Sequence, residues 1–89
     1  NDATYAAAAR TSDGKTIIAY TPNSRTLTVD LRKISGTTAV AWWFNPRDGS
    51  SQRIGTFATT GLQNFTTPTN ANWVLVVDDE AANFQAPGQ

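Results

Sequence analysis

The chain has 89 residues, of which 39% are hydrophobic and 16% charged, and its seven basic side chains balance seven acidic ones. A net charge of zero, without a basic run, argues against a nucleic acid or a membrane surface as the partner. The length predicts a single domain, because there is no room for a second hydrophobic core.

Histidine and cysteine are both absent. Without imidazole or thiol, the chain lacks the usual nucleophile pairs, the usual zinc ligand sets and the commonest general base. A glycosidase could still use two carboxylates, but Asp13 and Asp48 occupy turns and Asp30 ends a strand, where aspartate has structural roles. The sequence therefore predicts a binding protein rather than an enzyme.

Short runs of β-branched and aromatic residues, separated by turn signals, predict seven antiparallel strands. In the third run Leu27, Val29 and Leu31 alternate with polar residues, so one face of that strand is buried. The fourth run is the most apolar and is expected to be a central strand. The predicted strands are residues 4–11, 15–21, 25–31, 38–45, 50–57, 62–67 and 72–78.

The connections between these runs are also predictable. Residues 32–36 are typical of a helical turn or tight loop that crosses to a second sheet, and residues 45–49 (Asn-Pro-Arg-Asp-Gly) form a hairpin turn. Residues 79–89 show no pattern and are expected to be a tail or linker. We therefore predict one all-β domain over residues 1–78, an antiparallel sandwich of seven to eight strands with an immunoglobulin-like or jelly-roll-like topology.

Aromatic residues carry the strongest functional signal, because a pyranose ring stacks on a flat apolar ring while amide and charged groups bind its hydroxyls. Neighbouring side chains on a strand point to opposite faces, so Trp42 and Trp43 cannot both be in the core. Strand parity leaves the choice open, since Trp42 shares a face with Val40 and Phe44, and Trp43 shares the other with two alanines. A covering loop or a neighbouring domain is the alternative explanation for the outward ring.

Trp73 lies near a strand entrance, where its ring is either half exposed or part of the core. Tyr20 offers another ring with a hydroxyl group, although a tyrosine at a sandwich corner would look the same. The candidate ligand-binding residues are Trp42, Trp43, Trp73, Tyr20, Arg47 and Asn72.

Three acidic residues, Asp78, Asp79 and Glu80, form the one local concentration of hard oxygen ligands. Calcium favours such groups, so they are the candidate ligands of a structural calcium ion. Their spacing matches no defined calcium loop, and a solvated acidic tail is the alternative. No other cofactor is expected.

Residues 41–49 (Ala-Trp-Trp-Phe-Asn-Pro-Arg-Asp-Gly), with Val-Asp-Leu at 29–31 and Asn-Trp-Val-Leu-Val at 72–76, carry a family resemblance over residues 11–78. The chain resembles the C-terminal β-sandwich module of some bacterial glycoside hydrolases, a family labelled "putative collagen-binding domain of a collagenase". Members commonly have an aromatic residue matching Trp43 and a variable one matching Trp42. The resemblance implies a structural ring at Trp43 and a distinctive one at Trp42.

The resemblance also implies a secreted or extracellular accessory module, with a catalytic domain in a longer parent chain; the start at Asn1 without methionine agrees with such a fragment. The leading hypothesis is a noncatalytic carbohydrate-binding module for a β-linked plant polysaccharide, such as a β-glucan, a cello-oligosaccharide or xyloglucan. The alternatives are a structural domain that packs against the catalytic domain, or a module that binds a collagen-like protein.

Overall fold

The computed structural model describes residues 8–88, and the side chains of residues 11–88. It is all-β, as predicted. Within the described residues the strands are β1 (Ala8–Arg10), β2 (Thr16–Thr21), β3 (Thr26–Asp30), β4 (Thr38–Asn45), β5 (Ser50–Ala58), β6 (Leu62–Thr66) and β7 (Trp73–Asp79). Six of the predicted strands are confirmed to within one residue at each end. Of the first, predicted over residues 4–11, the part before Ala8 lies outside the described residues.

The strands form two antiparallel sheets. The larger has the order β1-β2-β7-β4-β5, and the smaller consists of β3 and β6. The inner faces of the two sheets pack together, as in a β-sandwich. The core consists of the buried residues Ile17, Ala19, Leu27, Val29, Leu31, Ile34, Ala39, Ala41, Trp43, Phe65, Trp73, Leu75 and Val77.

A short 3₁₀ helix, Leu31–Lys33, carries the chain from β3 in the smaller sheet to β4 in the larger, which confirms the predicted helical turn. Asp30 caps this helix, because its carboxylate accepts a hydrogen bond from the Arg32 backbone N–H at 3.0 Å. The Arg32 guanidinium also donates to both oxygens of that carboxylate, at 2.8 and 3.0 Å. Leu31 faces the core and is buried.

A β-bulge interrupts the pairing of β4 with β5. Ala41 pairs with Gly55, but the next residue of β4, Trp42, pairs with Arg53. Ile54 is therefore an extra residue in β5, and the side-chain alternation of this strand reverses at that point.

The bulge brings a second aromatic pair into the domain. After the reversal Phe57 faces the smaller sheet, where its ring meets that of Phe65 edge-on at a centroid distance of 5.3 Å. Gly55 forms the bulge with φ of 149°, a backbone conformation that side chains with a Cβ rarely adopt.

The segment after β7 folds back on the domain. The 3₁₀ helix Glu80–Ala82 lies against β4 and ends at Asn83, whose left-handed conformation (φ 59°) turns the chain. At Gly88, also at positive φ, the backbone lies so close to the Gly49 carbonyl and the Phe44 ring that a Cβ would clash with both. We call residues 83–88 the strap. They lead from Glu80–Ala82, which contacts β4, to Gly88 beside Phe44 near the end of the same strand.

The bulge yields a test with a matched control. A Cβ at Gly55 and one at Gly61 would both meet open space, but only Gly55 has a positive φ. We expect Gly55→Ala to lower the free energy of unfolding by about 1–3 kcal/mol, because alanine is strained in that conformation. Gly61→Ala should leave it unchanged or raise it by about 0.4–1 kcal/mol, through the less flexible unfolded chain. Urea unfolding measures both, and equal effects would contradict the role of Gly55 in the bulge.

Candidate functional site

Two of the three tryptophans belong to the core. Trp43 and Trp73 are 4% and 3% exposed, and their rings meet edge-on with centroids 6.4 Å apart. The indole N–H of Trp73 donates a hydrogen bond to the hydroxyl of Thr69 at 3.1 Å. Neither ring presents a face on which a sugar could stack, which corrects their assignment as ligand-binding residues.

Arg47 and Asn72 lie at the end of the sandwich where the β4–β5 hairpin meets the entrance to β7. The Arg47 guanidinium carbon sits 4.9 Å from the centroid of the Trp73 ring, so this cation covers the ring. Asn72 is half-buried beside the same tryptophan in the chain. Arg47 thus contributes to the packing of Trp73, a role that sequence reasoning did not anticipate.

Tyr20 and Trp42 share the outer face of the five-stranded sheet. Pairing between the strands places Tyr20, Val74 and Phe44 in one row across β2, β7 and β4. The next row contains Ile18, Val76 and Trp42. We call the surface formed by Ile18, Tyr20, Val40, Trp42, Phe44, Val74 and Val76 the outer face; it is continuous and apolar.

The two halves of the outer face differ in exposure, and the strap contacts one of them at Phe44. β2 and β4 are each second from an edge of the sheet, but within the described residues the edge strand β1 pairs only with residues 17–19 of β2, whereas β5 flanks both Trp42 and Phe44. Ile18 and Tyr20 on β2 are 44% and 40% exposed. Trp42 and Phe44 on β4, in the same two rows, are half-buried. Gly88 of the strap lies against the Phe44 ring and contributes to the burial of that side chain.

The outer face also has a signal in the sequence, which lies in the apolar strands β2 and β7 rather than in the tryptophans. The runs Thr-Ile-Ile-Ala-Tyr in β2 and Trp-Val-Leu-Val-Val in β7 are apolar at almost every position rather than at alternate ones. Continuous apolar runs are typical of strands covered on both faces. They indicate a surface on the second face that suits a covering partner.

The acidic residues after Val77 do not converge. Asp78 and Asp79 are both buried but point to opposite faces of the sheet, because they are neighbours on β7. Glu80 is exposed in the following 3₁₀ helix. Between residues 11 and 88, no group of three or more histidine, cysteine, aspartate or glutamate side chains is placed to hold a metal ion. The predicted three-carboxylate calcium site therefore does not form.

Asp79 instead ties three segments together. Its Oδ2 accepts a hydrogen bond from the Ser35 hydroxyl at 2.9 Å, and its Oδ1 accepts one from the Ala81 backbone N–H at 3.0 Å. A Cβ at Gly36 would overlap this carboxylate, so glycine is required there. These contacts explain the burial of Asp79 without a metal.

Asp78 lies on the outer side of β7 and accepts a hydrogen bond from the Thr16 hydroxyl at 2.9 Å. Burial raises the pKa of this carboxyl, and the hydrogen bond only partly offsets that effect. Asp13, Asp30 and Asp48 show the opposite behaviour, since hydrogen bonds within their turns and caps lower the pKa of each. Their structural roles agree with the sequence interpretation.

Residues 1–78 match the family described as "Putative collagen-binding domain of a collagenase". The chain belongs to this family. Two solved structures are similar at a TM-score of 0.71 and 30% sequence identity, over 76% of this chain. One is described as a glycoside hydrolase and the other as a glycoside hydrolase family 5 protein from Bacteroides vulgatus ATCC 8482. None of the curated proteins compared with the chain matches it.

This collagenase-labelled family is thus linked to glycoside hydrolases, and the domain corresponds to an accessory part of them. The chain covers only 16% and 15% of the two glycoside hydrolase chains. Among the residues described here, no helix combines the length and apolar character needed to cross a membrane.

The buried carboxyl of Asp78 makes stability depend on pH. Because its pKa is higher in the folded state, the native protein holds this proton more tightly, and stability falls as pH rises from about 3.9, the unfolded value, through the raised pKa. We expect Asp78→Asn to remove this loss and to be more stable than the wild type at pH 7, with the difference vanishing below pH of about 3. Urea unfolding as a function of pH measures the effect.

Asp13→Asn is the matched control, and its expected effect on stability at pH 7 is the opposite of that of Asp78→Asn. The Thr11 hydroxyl and the Lys15 backbone N–H donate hydrogen bonds to Asp13 and lower its pKa, so its charged form stabilises the fold above the unfolded pKa. This variant should lose stability at pH 7. A loss of stability at pH 7 in Asp78→Asn as well would contradict the assignment of Asp78 as a carboxyl strained by burial.

Proposed function

We propose that this domain is a noncatalytic accessory domain of a glycoside hydrolase, and that its outer face docks on the catalytic domain. The continuous apolar outer face carries the proposal. Ile18 and Tyr20 leave 44% and 40% of their surfaces in contact with water. Contiguous apolar patches on soluble proteins mark interaction sites more often than isolated exposed residues do.

The opposite side of the sandwich supports this interpretation by contrast. The outward side chains of the smaller sheet are mostly polar and paired with one another. Thr26 and Thr66 share a hydrogen bond of 2.9 Å, and the Thr28 hydroxyl donates to Asn64 at 2.8 Å. A domain with one hydrated side and one apolar side is suited to packing against a neighbour through the apolar side.

The size of the outer face indicates a modest interface. The outer face crosses three strands, which is two strand spacings of about 4.8 Å, and three rows of side chains, so it spans about 10 by 14 Å, an area of about 140 Å². Interfaces between domains of one chain bury about 600–1,500 Å² in total, or at least about 300 Å² on each side. We therefore expect docking to depend on a covalent link between the two domains.

The burial of Trp43 and Trp73 removes two of the three rings on which the polysaccharide hypothesis rested. Binding to a β-linked polysaccharide remains the second candidate, favoured by the exposed ring of Tyr20. Trp42 lies on the same face, with Arg53 opposite it on β5 as a hydrogen-bond donor. By analogy with nucleobases, two stacked rings would contribute roughly 2–6 kcal/mol, so the affinity would reach tens of micromolar at best.

Docking predicts that a charge on the outer face uncouples the two domains. In the longer chain with its catalytic domain, we expect Ile18→Asp to lower the melting temperature of the catalytic domain. Full burial of isoleucine stabilises by about 1.5–3 kcal/mol, so loss of the remaining fraction is on the order of 1 kcal/mol, before the cost of burying a carboxylate. Differential scanning calorimetry measures the transition.

Asn64→Asp is the matched control, because it adds the same charge on the opposite, polar side and keeps the acceptor for Thr28. It should leave the catalytic domain unchanged. If Ile18→Asp and Asn64→Asp behave alike, the outer face is not the docking surface.

Polysaccharide binding is tested by calorimetry of the 89-residue chain against β-glucan, xyloglucan and cello-oligosaccharides. Tyr20→Ala and Trp42→Ala should stay folded and lose the heat of binding. Trp43→Ala should instead lower the free energy of unfolding by about 3–5 kcal/mol, because it empties the core. The absence of binding heat with every glycan would exclude this second candidate.

A further inference from the structure

The strap is held on the domain by packing and, after Asn83, without hydrogen bonds among the described residues. Asn83 donates its backbone N–H to the Glu80 carbonyl at 3.0 Å and so ends the 3₁₀ helix. Residues 84–88 make no hydrogen bond or ion pair with any other residue in the described part of the chain. Packing alone holds this segment in place.

The packing is concentrated at the far end of the strap. Gly88 lies against the Gly49 carbonyl and the Phe44 ring, and it has a φ of 86°, so only glycine fits there. Ala86 and Pro87 are half-buried, whereas Phe84 leaves 50% of its surface exposed. The largest apolar side chain of the strap therefore leaves half of its surface unburied.

We propose that the strap, which packs on Phe44, is a displaceable cover that extends over Trp42, and that its release adds these two rings to the aromatic surface that the outer face offers to a partner. Closing the strap orders six residues at a cost in conformational entropy, and no hydrogen bond between residues 84–88 and the sheet offsets that cost. Segments with few contacts of this kind open locally, without unfolding of the domain. This inference rests on the proposed function only for the identity of the partner, the catalytic domain.

Release of the strap places Trp42 and Phe44 beside the already exposed Tyr20 and Ile18. The two rows that cross β2, β7 and β4 then become one surface with three aromatic rings. A catalytic domain that docks there would replace the strap, which makes the strap a competitor for the same surface.

Tryptophan fluorescence reports the cover directly. Of the three tryptophans, Trp43 and Trp73 are buried in the core, so quenching by acrylamide reports mainly on Trp42. Deletion of residues 84–89 should raise the quenching constant for one of the three tryptophans. Gly88→Ala should produce a smaller rise, because its Cβ clashes with Gly49 and Phe44. Gln85→Ala, at an exposed position of the strap, is the control and should change nothing.

Unchanged quenching in both the deletion and Gly88→Ala would show that the strap does not cover Trp42 and would overturn the proposal. Unfolding of the deletion variant is recognised by quenching of all three tryptophans, in which case Gly88→Ala decides. In the wild type, quenching should rise on warming before the unfolding transition begins. If it rises only with unfolding, the strap is a fixed part of the fold and is not displaceable.

The same deletion separates this inference from the proposed function. In the longer chain, strap removal should raise the melting temperature of the catalytic domain, since the competitor is gone. If the deletion increases quenching but Ile18→Asp leaves the melting temperature of the catalytic domain unchanged, the strap is a displaceable cover and the docking proposal is rejected. If Ile18→Asp lowers that melting temperature but the deletion leaves quenching unchanged, docking is supported and the cover proposal is rejected.

Discussion

The edge-on contact between Trp43 and Trp73 is the constraint on which the rest of the structure depends. It places the Trp43 side of β4 in the core, where Ala39 and Ala41 leave room for so large a ring. Because side chains alternate along a strand, the same choice turns Trp42 outward together with Val40 and Phe44. One aromatic contact inside the sandwich therefore creates an apolar surface outside it.

That surface distinguishes the two sides of the domain. The smaller sheet satisfies its outward threonines and asparagine with hydrogen bonds across the strands, and it is suited to water. The larger sheet has valines, isoleucine and aromatic rings outward, and Gly88 of the strap packs on one of these rings, Phe44. The strap, and the docked neighbour that we propose, would both reduce the exposure of apolar area on a sheet that has only one core to fill.

Membership in a family linked to glycoside hydrolases and the burial of two tryptophans shift the functional interpretation. A sugar platform needs accessible ring faces, and Trp43 and Trp73 have none because each supports the other within the core. Arg47, which looked like a hydroxyl-binding residue, lies on the Trp73 ring instead. What remains outside is a surface richer in aliphatic side chains than in hydrogen-bonding groups, and such a composition favours a protein neighbour over a polysaccharide.

The sequence alone determined the all-β class, the strand boundaries to within one residue and a helical turn or tight loop after the third strand, because these depend on local alternation and on turn residues. The structure places that turn at Leu31–Lys33, one residue earlier than predicted. The sequence could not decide between Trp42 and Trp43, since both faces of β4 are apolar and the contact with Trp73 on the neighbouring strand β7 is what distinguishes them. It placed Asp78, Asp79 and Glu80 together, although pleating separates the first two. The sequence also did not predict the strap, because no periodicity marks a segment that is held by packing without hydrogen bonds. Tertiary contacts between residues distant in sequence decided these features.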